Sequence, residues 1–201
     1  MLDVELHMDP HVAERNRSGV ALMHQLAEPV RRPHLIGMDG RSGAGKTTLA
    51  GQLAEVLSVT RDVVIFRLED LYPGWDGLEQ GIGTYNESIL PPLREGRDAY
   101  WSAWDWYSDS LAGPRLTRAA EIVILEGVGA CNRDARLALD VSVWVELPDA
   151  QRRARALERD GDYERFWERW SQQELVYLDE DPVWECADII QPGPTQTPTF
   201  P

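Results

Sequence analysis

Five short apolar runs set the rhythm of the chain: His34–Met38, Asp62–Leu68, Glu121–Gly127, Asp140–Leu147 and Ala187–Ile190. They are rich in β-branched residues and lack a clean polar alternation, as strands buried on both faces of a parallel sheet do. Between them the spacing turns helical. Lys46–Leu57 follows the first run, and Pro148 sits where a helix after the fourth run would begin. Asp162–Asp179 is helical in composition, with Phe166, Trp170 and Tyr177 as candidate buried positions. Upstream, Val12, Val20, Leu22, Met23, Leu26 and Val30 fit an amphipathic helix in an extension over residues 1–30. The Pro/Thr-rich end, 192–201, reads as an extended tail. Strands alternating with helices predict one α/β domain over 1–201, three layers deep, with a mainly parallel five-stranded sheet and helices on both faces.

The middle of the chain is less regular. Pro73, Gly74, Gly77, Gly81 and Gly83 predict a loop, and Asn86–Arg94 a short helix interrupted by Pro91-Pro92. The aromatic stretch Tyr100–Tyr107 is expected to pair as a hairpin with the segment around Arg115–Thr117. Such a cluster is first a local core, and second a platform for a ligand ring. Tyr107 is the candidate ligand contact on that second reading.

Between the first strand and its helix lies Gly40-Arg41-Ser42-Gly43-Ala44-Gly45-Lys46-Thr47-Thr48, which satisfies the pattern G-x-x-x-x-G-K-S/T. A polyphosphate needs several donors converging on it, and successive backbone N–H groups in a tight glycine-rich turn supply them. The following helix aims its positive dipole end at the same point. Gly40, Ser42, Gly43, Ala44, Gly45, Lys46, Thr47 and Thr48 are therefore candidate contacts to a nucleoside triphosphate. Lys46 would add a charge for the outer phosphates, and the Thr47 hydroxyl would ligate Mg²⁺.

Composition narrows the picture further. A net charge of −14 over 201 residues leaves no basic face for nonspecific nucleic-acid binding. All four histidines lie in the first 34 residues, which disfavours a serine–histidine hydrolase and zinc chemistry. His7 and His11 are four apart, but Pro10 between them breaks a shared helix face. Cys131 and Cys186 have no metal-type spacing and are expected as buried free thiols. With no secretory leader pattern and no membrane-length apolar run, a cytoplasmic, membrane-free setting is expected.

Two acids fall at strand ends, where open α/β sheets bind ligands. Asp70 follows the second strand, and Glu126 closes the third beside the expected Mg²⁺. Arg152, Arg155 and Arg159 recur at i, i+3 and i+7 along the helix after Pro148, and are read as a phosphate-contacting face.

The ordered set GRSGAGKTT, LEDLYPGW, ILEGVGA, PDAQRRARALERD and ADIIQP resembles the uridine kinase branch of P-loop kinases, which also holds phosphoribulokinase- and pantothenate kinase-like enzymes. The resemblance spans most of residues 34–192. It implies a P-loop NTPase fold and transfer of the ATP γ-phosphate, with Mg²⁺, to a hydroxyl of a small metabolite. It also implies that Asp70 takes the proton from that hydroxyl and touches the metal side, that Tyr72 lines the acceptor pocket, and that the lid arginines Arg152, Arg155 and Arg159 cover the transferring phosphate beside Lys46. The chain departs from the family in having no histidine after His34, where the uridine pocket carries one. A P-loop NTPase acting as a regulatory or assembly switch is the rival expectation; no guanine-reading Asn-Lys-x-Asp sequence occurs.

Overall fold

The structure is a computed structural model that describes residues 33–159 and 164–194. The helix expected over Val12–Val30, the His7–His11 pair and the tail beyond residue 194 lie outside the described residues.

In chain order the elements are β1 (His34–Asp39), α1 (Lys46–Leu57), β2 (Val63–Arg67), α2 (Leu78–Thr84), α3 (Leu90–Arg94), β3 (Ala99–Asp105) and β4 (Ser110–Thr117). They continue with β5 (Ile122–Glu126), β6 (Val141–Glu146), α4 (Asp149–Arg159), α5 (Glu164–Glu180), α6 (Val183–Cys186) and β7 (Ile189–Pro192). Five strands form one sheet in the order β2-β5-β1-β6-β7, and every neighbouring pair is parallel.

Period two along the strands explains the layers. Leu35, Val123 and Leu125 enter a core on one face, together with Leu78, Tyr85, Leu93 and Trp170. Ile36, Met38, Ile122 and Ile124 enter a second core on the other face, against Ala50, Leu49 and Leu53 of α1. Both faces are covered, so the strand runs are apolar throughout.

The stretch read as a loop from its glycines is helical from Leu78. α2 passes into a π-helical turn at Tyr85–Ile89 and then α3. Buried Leu78, Tyr85, Ile89, Leu90 and Leu93 outweigh the glycines. Pro91 and Pro92 sit in the first turn of α3, where a missing N–H costs little. The expected hairpin forms as β3–β4, with Ala99 opposite Thr117 and Trp101 opposite Arg115. Both cysteines are free, but only Cys131 is buried; Cys186 is exposed, contrary to expectation. The segment read as the start of a loose tail is also ordered. Pro192 ends β7, and Gly193 N–H donates to the Glu146 carbonyl at 2.7 Å.

Candidate functional site

Parallel strands put their carboxyl ends on one edge, and the register gathers the chemistry there. Met38 lies opposite Glu126, and Glu126 opposite Arg67. The glycine-rich loop leaves β1 at this edge and turns into α1 through Gly45, which is left-handed at φ 99°. No side chain caps the N-terminus of α1, and no acid sits in its first turn. Gly43, at φ 79°, has a second reason to be glycine: a Cβ there would lie 2.1 Å from the Arg152 carbonyl oxygen of α4.

Lys46 is nearly buried, and its Nζ donates to the Gly40 carbonyl at 2.7 Å and the Arg41 carbonyl at 3.2 Å. The Thr47 hydroxyl donates to Glu126 Oε1 at 3.0 Å. Glu126 is 3% exposed, and burial pushes its carboxyl above the ordinary range against the opposing pull of Lys46. Two hard oxygen donors at the mouth of a phosphate loop suit Mg²⁺, which binds through a few protein ligands and substrate phosphates. Among the described residues, no three His, Cys, Asp or Glu side chains gather as a metal cluster.

Asp70 sits in a 3₁₀ turn, Leu68–Leu71, directly after β2. It is partly buried, and desolvation followed by the charge of Glu69 raises its pKa, with Arg67 and Arg115 pulling the other way. Trp106 of the hairpin fixes this turn by donating its Nε1–H to the Glu69 carbonyl at 3.1 Å. Beside it, a cavity of about 270 Å³ opens between the turn, α2 and the hairpin. Leu71, Gln80, Thr84, Ser88, Ser102 and Trp104 are among its lining residues. The indole N–H of Trp104 is buried and has no hydrogen-bond partner among the described residues. The aromatic stretch divides its duties accordingly. Trp101 packs edge-on to Phe66 of the core at 5.1 Å as well as lining the cavity, and Trp106 packs on Trp75.

Several sequence-based assignments change here. Tyr72 does not line the cavity: it is 2% exposed, and its hydroxyl donates to the Val128 carbonyl at 2.7 Å. Tyr107 stands 99% exposed at the hairpin turn, away from the cavity lining. Arg152 is 1% exposed and donates to the Ser42 carbonyl at 3.0 Å and to Asp149, so it braces the loop from within. The arginine face is thereby broken. Arg155 also comes close to the loop: its guanidinium donates to the Pro194 carbonyl, and its Nη1 lies 3.6 Å from where a Cβ on Gly45 would stand. Arg159 ends α4. Ser42 is also reassigned, because its amide donates to Glu174 Oε1 at 2.7 Å and is not free for a phosphate.

Two buried carboxylates escaped the sequence reading. Asp39 accepts from the Gly40, Gly129 and Cys131 amides at 2.7, 2.9 and 3.0 Å and from the Tyr177 hydroxyl at 2.9 Å. It ties the start of the loop to the chain beyond β5, while burial still pushes its pKa up. Glu174 is fully buried on α5. Its signal was an acid at helical spacing among the buried positions Trp167, Trp170, Ser171 and Leu178.

No family model matches the chain. In sequence it is similar to the uridine kinase of Lactobacillus helveticus, 27% identical over 146 residues that cover 65% of this chain and 69% of that protein. It is also similar to the uridine kinase of Schizosaccharomyces pombe, 29% identical over 153 residues that cover 67% of this chain and 33% of that protein. In fold it matches a structure described as a possible uridine kinase from Bacillus stearothermophilus with a TM-score of 0.61. That match has 20% identity and covers 89% of this chain and 99% of the other. The chain is thus uridine kinase-like in sequence and in its P-loop fold.

Proposed function

We propose that this uridine kinase-like chain is a small-molecule kinase that moves the γ-phosphoryl group of ATP to a hydroxyl of a small acceptor. The observation that carries the reading is the shared sheet edge. A phosphate loop with its lysine, a Thr47–Glu126 oxygen pair and a carboxylate of raised pKa, Asp70, all lie at the carboxyl ends of β1, β5 and β2, near a cavity.

Phosphoryl transfer needs alignment and charge neutralisation more than covalent help from the protein. The loop amides from Gly43 onward, the α1 terminus and Lys46 would hold the phosphates, and Arg155 would balance charge from the α4 side. Thr47 and Glu126 would hold Mg²⁺, which neutralises phosphate charge when bound. Asp70 would orient the acceptor hydroxyl and accept its proton. The named lining side chains of the cavity are uncharged, which suits an acceptor recognised through hydroxyls and a ring. The relatives' acceptor, uridine, belongs to this chemical class, although the chain lacks the histidine of the family's pocket.

Asp70→Asn separates the roles. Calorimetric titration is expected to show ATP binding within about twofold of wild type, while turnover falls by about 10²–10⁴-fold, the range of a lost general base. Unchanged turnover would remove Asp70 from the mechanism.

A further inference from the structure

One face of α5 reaches both halves of the site. Phe166 stacks on Trp75 at 4.5 Å between centroids, Trp170 packs on Tyr72 at 5.2 Å, and Gln173 donates to the Trp75 carbonyl and accepts from the Leu78 amide at 3.2 Å. These residues hold the chain that frames the cavity. One turn further on, the same helix meets the phosphate loop. Glu174 accepts the Ser42 N–H at 2.7 Å and the Arg41 Nε–H at 3.2 Å. The Trp170 indole N–H forks between Glu174 Oε1 at 2.9 Å and the Ser42 hydroxyl at 2.8 Å.

All three polar groups of Ser42 are therefore taken by the protein: the amide by Glu174, the hydroxyl by Trp170 and the carbonyl by Arg152. A glycine-rich turn has many backbone states, and ordering it on ligand binding costs about 1–2 kcal/mol per residue. An arm fixed beforehand lowers that cost. The fixing must come from a group that does not compete with phosphate, and a fully buried carboxylate bonded to the outer arm meets that condition.

We infer that Glu174 is a positioning residue, which holds the Arg41–Ser42 arm through the Ser42 amide so that the inner amides of the loop are preset for a polyphosphate. This rests on the reading of the loop as the nucleotide site. Trp170 orients Glu174, and α5 links the preset loop to the turn that frames the cavity.

The test uses the full chain and Mg²⁺–ATP titrated by calorimetry. Glu174→Ala, which removes the acceptor from the Ser42 amide, is expected to weaken ATP binding about tenfold, in keeping with a charge-assisted bond. Glu174→Gln keeps an acceptor oxygen at that amide and is expected to restore affinity to within about threefold of wild type. Trp170→Phe removes the N–H that orients Glu174 and reaches the Ser42 hydroxyl, keeps an aromatic ring against Tyr72, and is expected to fall between the two; it also serves if Glu174→Ala does not fold. Arg94→Met breaks an ion pair with Asp140 at the opposite edge of the sheet and controls for stability loss alone. Equal weakening in Glu174→Gln and Glu174→Ala would overturn the inference. So would ATP binding that follows melting temperature across all four variants. A wild-type chain that binds no ATP would instead overturn the nucleotide-site reading beneath it.

Discussion

The donor and acceptor halves of the proposed site are built on opposite principles. The donor half is one contiguous segment, Gly40–Thr48, whose glycines, lysine and threonine are adjacent in sequence and braced by buried partners from α4 and α5. The acceptor half is assembled from three separate segments, the turn after β2, α2 and the hairpin, around a cavity of about 270 Å³. On the proposed reading the donor half fixes a charge pattern common to every nucleoside triphosphate. The acceptor half fixes a shape, and shape depends on how distant residues pack. Similar donor loops can therefore serve different acceptors, and the acceptor is what a sequence motif says least about.

Substitutions in each half should separate these roles. Within the donor half the largest effect is expected from Lys46→Ala, which removes the charge proposed to face the outer phosphates. Turnover should fall by about 10²–10³-fold, the size of a lost transition-state donor, and a kinetic assay at saturating acceptor checks it. A drop confined to acceptor KM would reverse the assignment of halves.

Trp104→Phe is expected to act on the other side. It deletes a buried N–H of the cavity lining that has no partner among the described residues, and should raise acceptor KM about tenfold, the cost of a hydrogen bond of about 1–1.5 kcal/mol. The KM for ATP should stay put, which a two-substrate initial-rate grid will show.

The pH profile probes the junction. Desolvation and Glu69 hold the Asp70 pKa above the ordinary aspartate range. As pH falls through that raised value the carboxylate takes up a proton, so with Asp70 as the proposed base kcat is expected to decline there and to be full above it. Glu69→Gln removes a raising charge, so the acid limb of kcat should move to lower pH. An unmoved limb would mean that another group sets it.

Tyr72 and Tyr107 give the smallest expected effects on activity, for different reasons. Tyr72→Phe deletes a buried bond to the Val128 carbonyl and should cost about 1 kcal/mol of stability in a denaturant melt while leaving acceptor KM within about twofold. Tyr107→Ala changes a fully exposed turn residue and should alter neither measurably.

The same contrast governs what the sequence disclosed. The loop, the strand-end Glu126 and the Asp70 turn were legible because each is defined by a few adjacent residues and by strand periodicity. The five strands were legible for the same reason, to within a residue or two at most ends. Helix α2 was not, because Gly77, Gly81 and Gly83 read as breakers while the buried stripe through Leu78, Tyr85 and Leu93 overrode them. Arg152 and Tyr72 were misplaced because spacing on a helix or in a turn does not say which neighbour will cover a side chain. Arg152 is covered by the loop it was expected to assist from outside, and Tyr72 by Trp170. Glu174 was missed because an acid at a buried helical position has meaning only once its partner, the Ser42 amide 132 residues away in sequence, is known.

Acceptor-dependent ADP release tests the central claim most directly. Wild-type chain with Mg²⁺–ATP would be assayed alone and against nucleosides, sugars and pantothenate-like alcohols. Release that is slow alone and rises by at least about a hundredfold with one hydroxyl-bearing acceptor, and disappears in Asp70→Asn, is the expected result. Release at the same rate with and without every acceptor would contradict the kinase account and favour an NTPase that works as a switch.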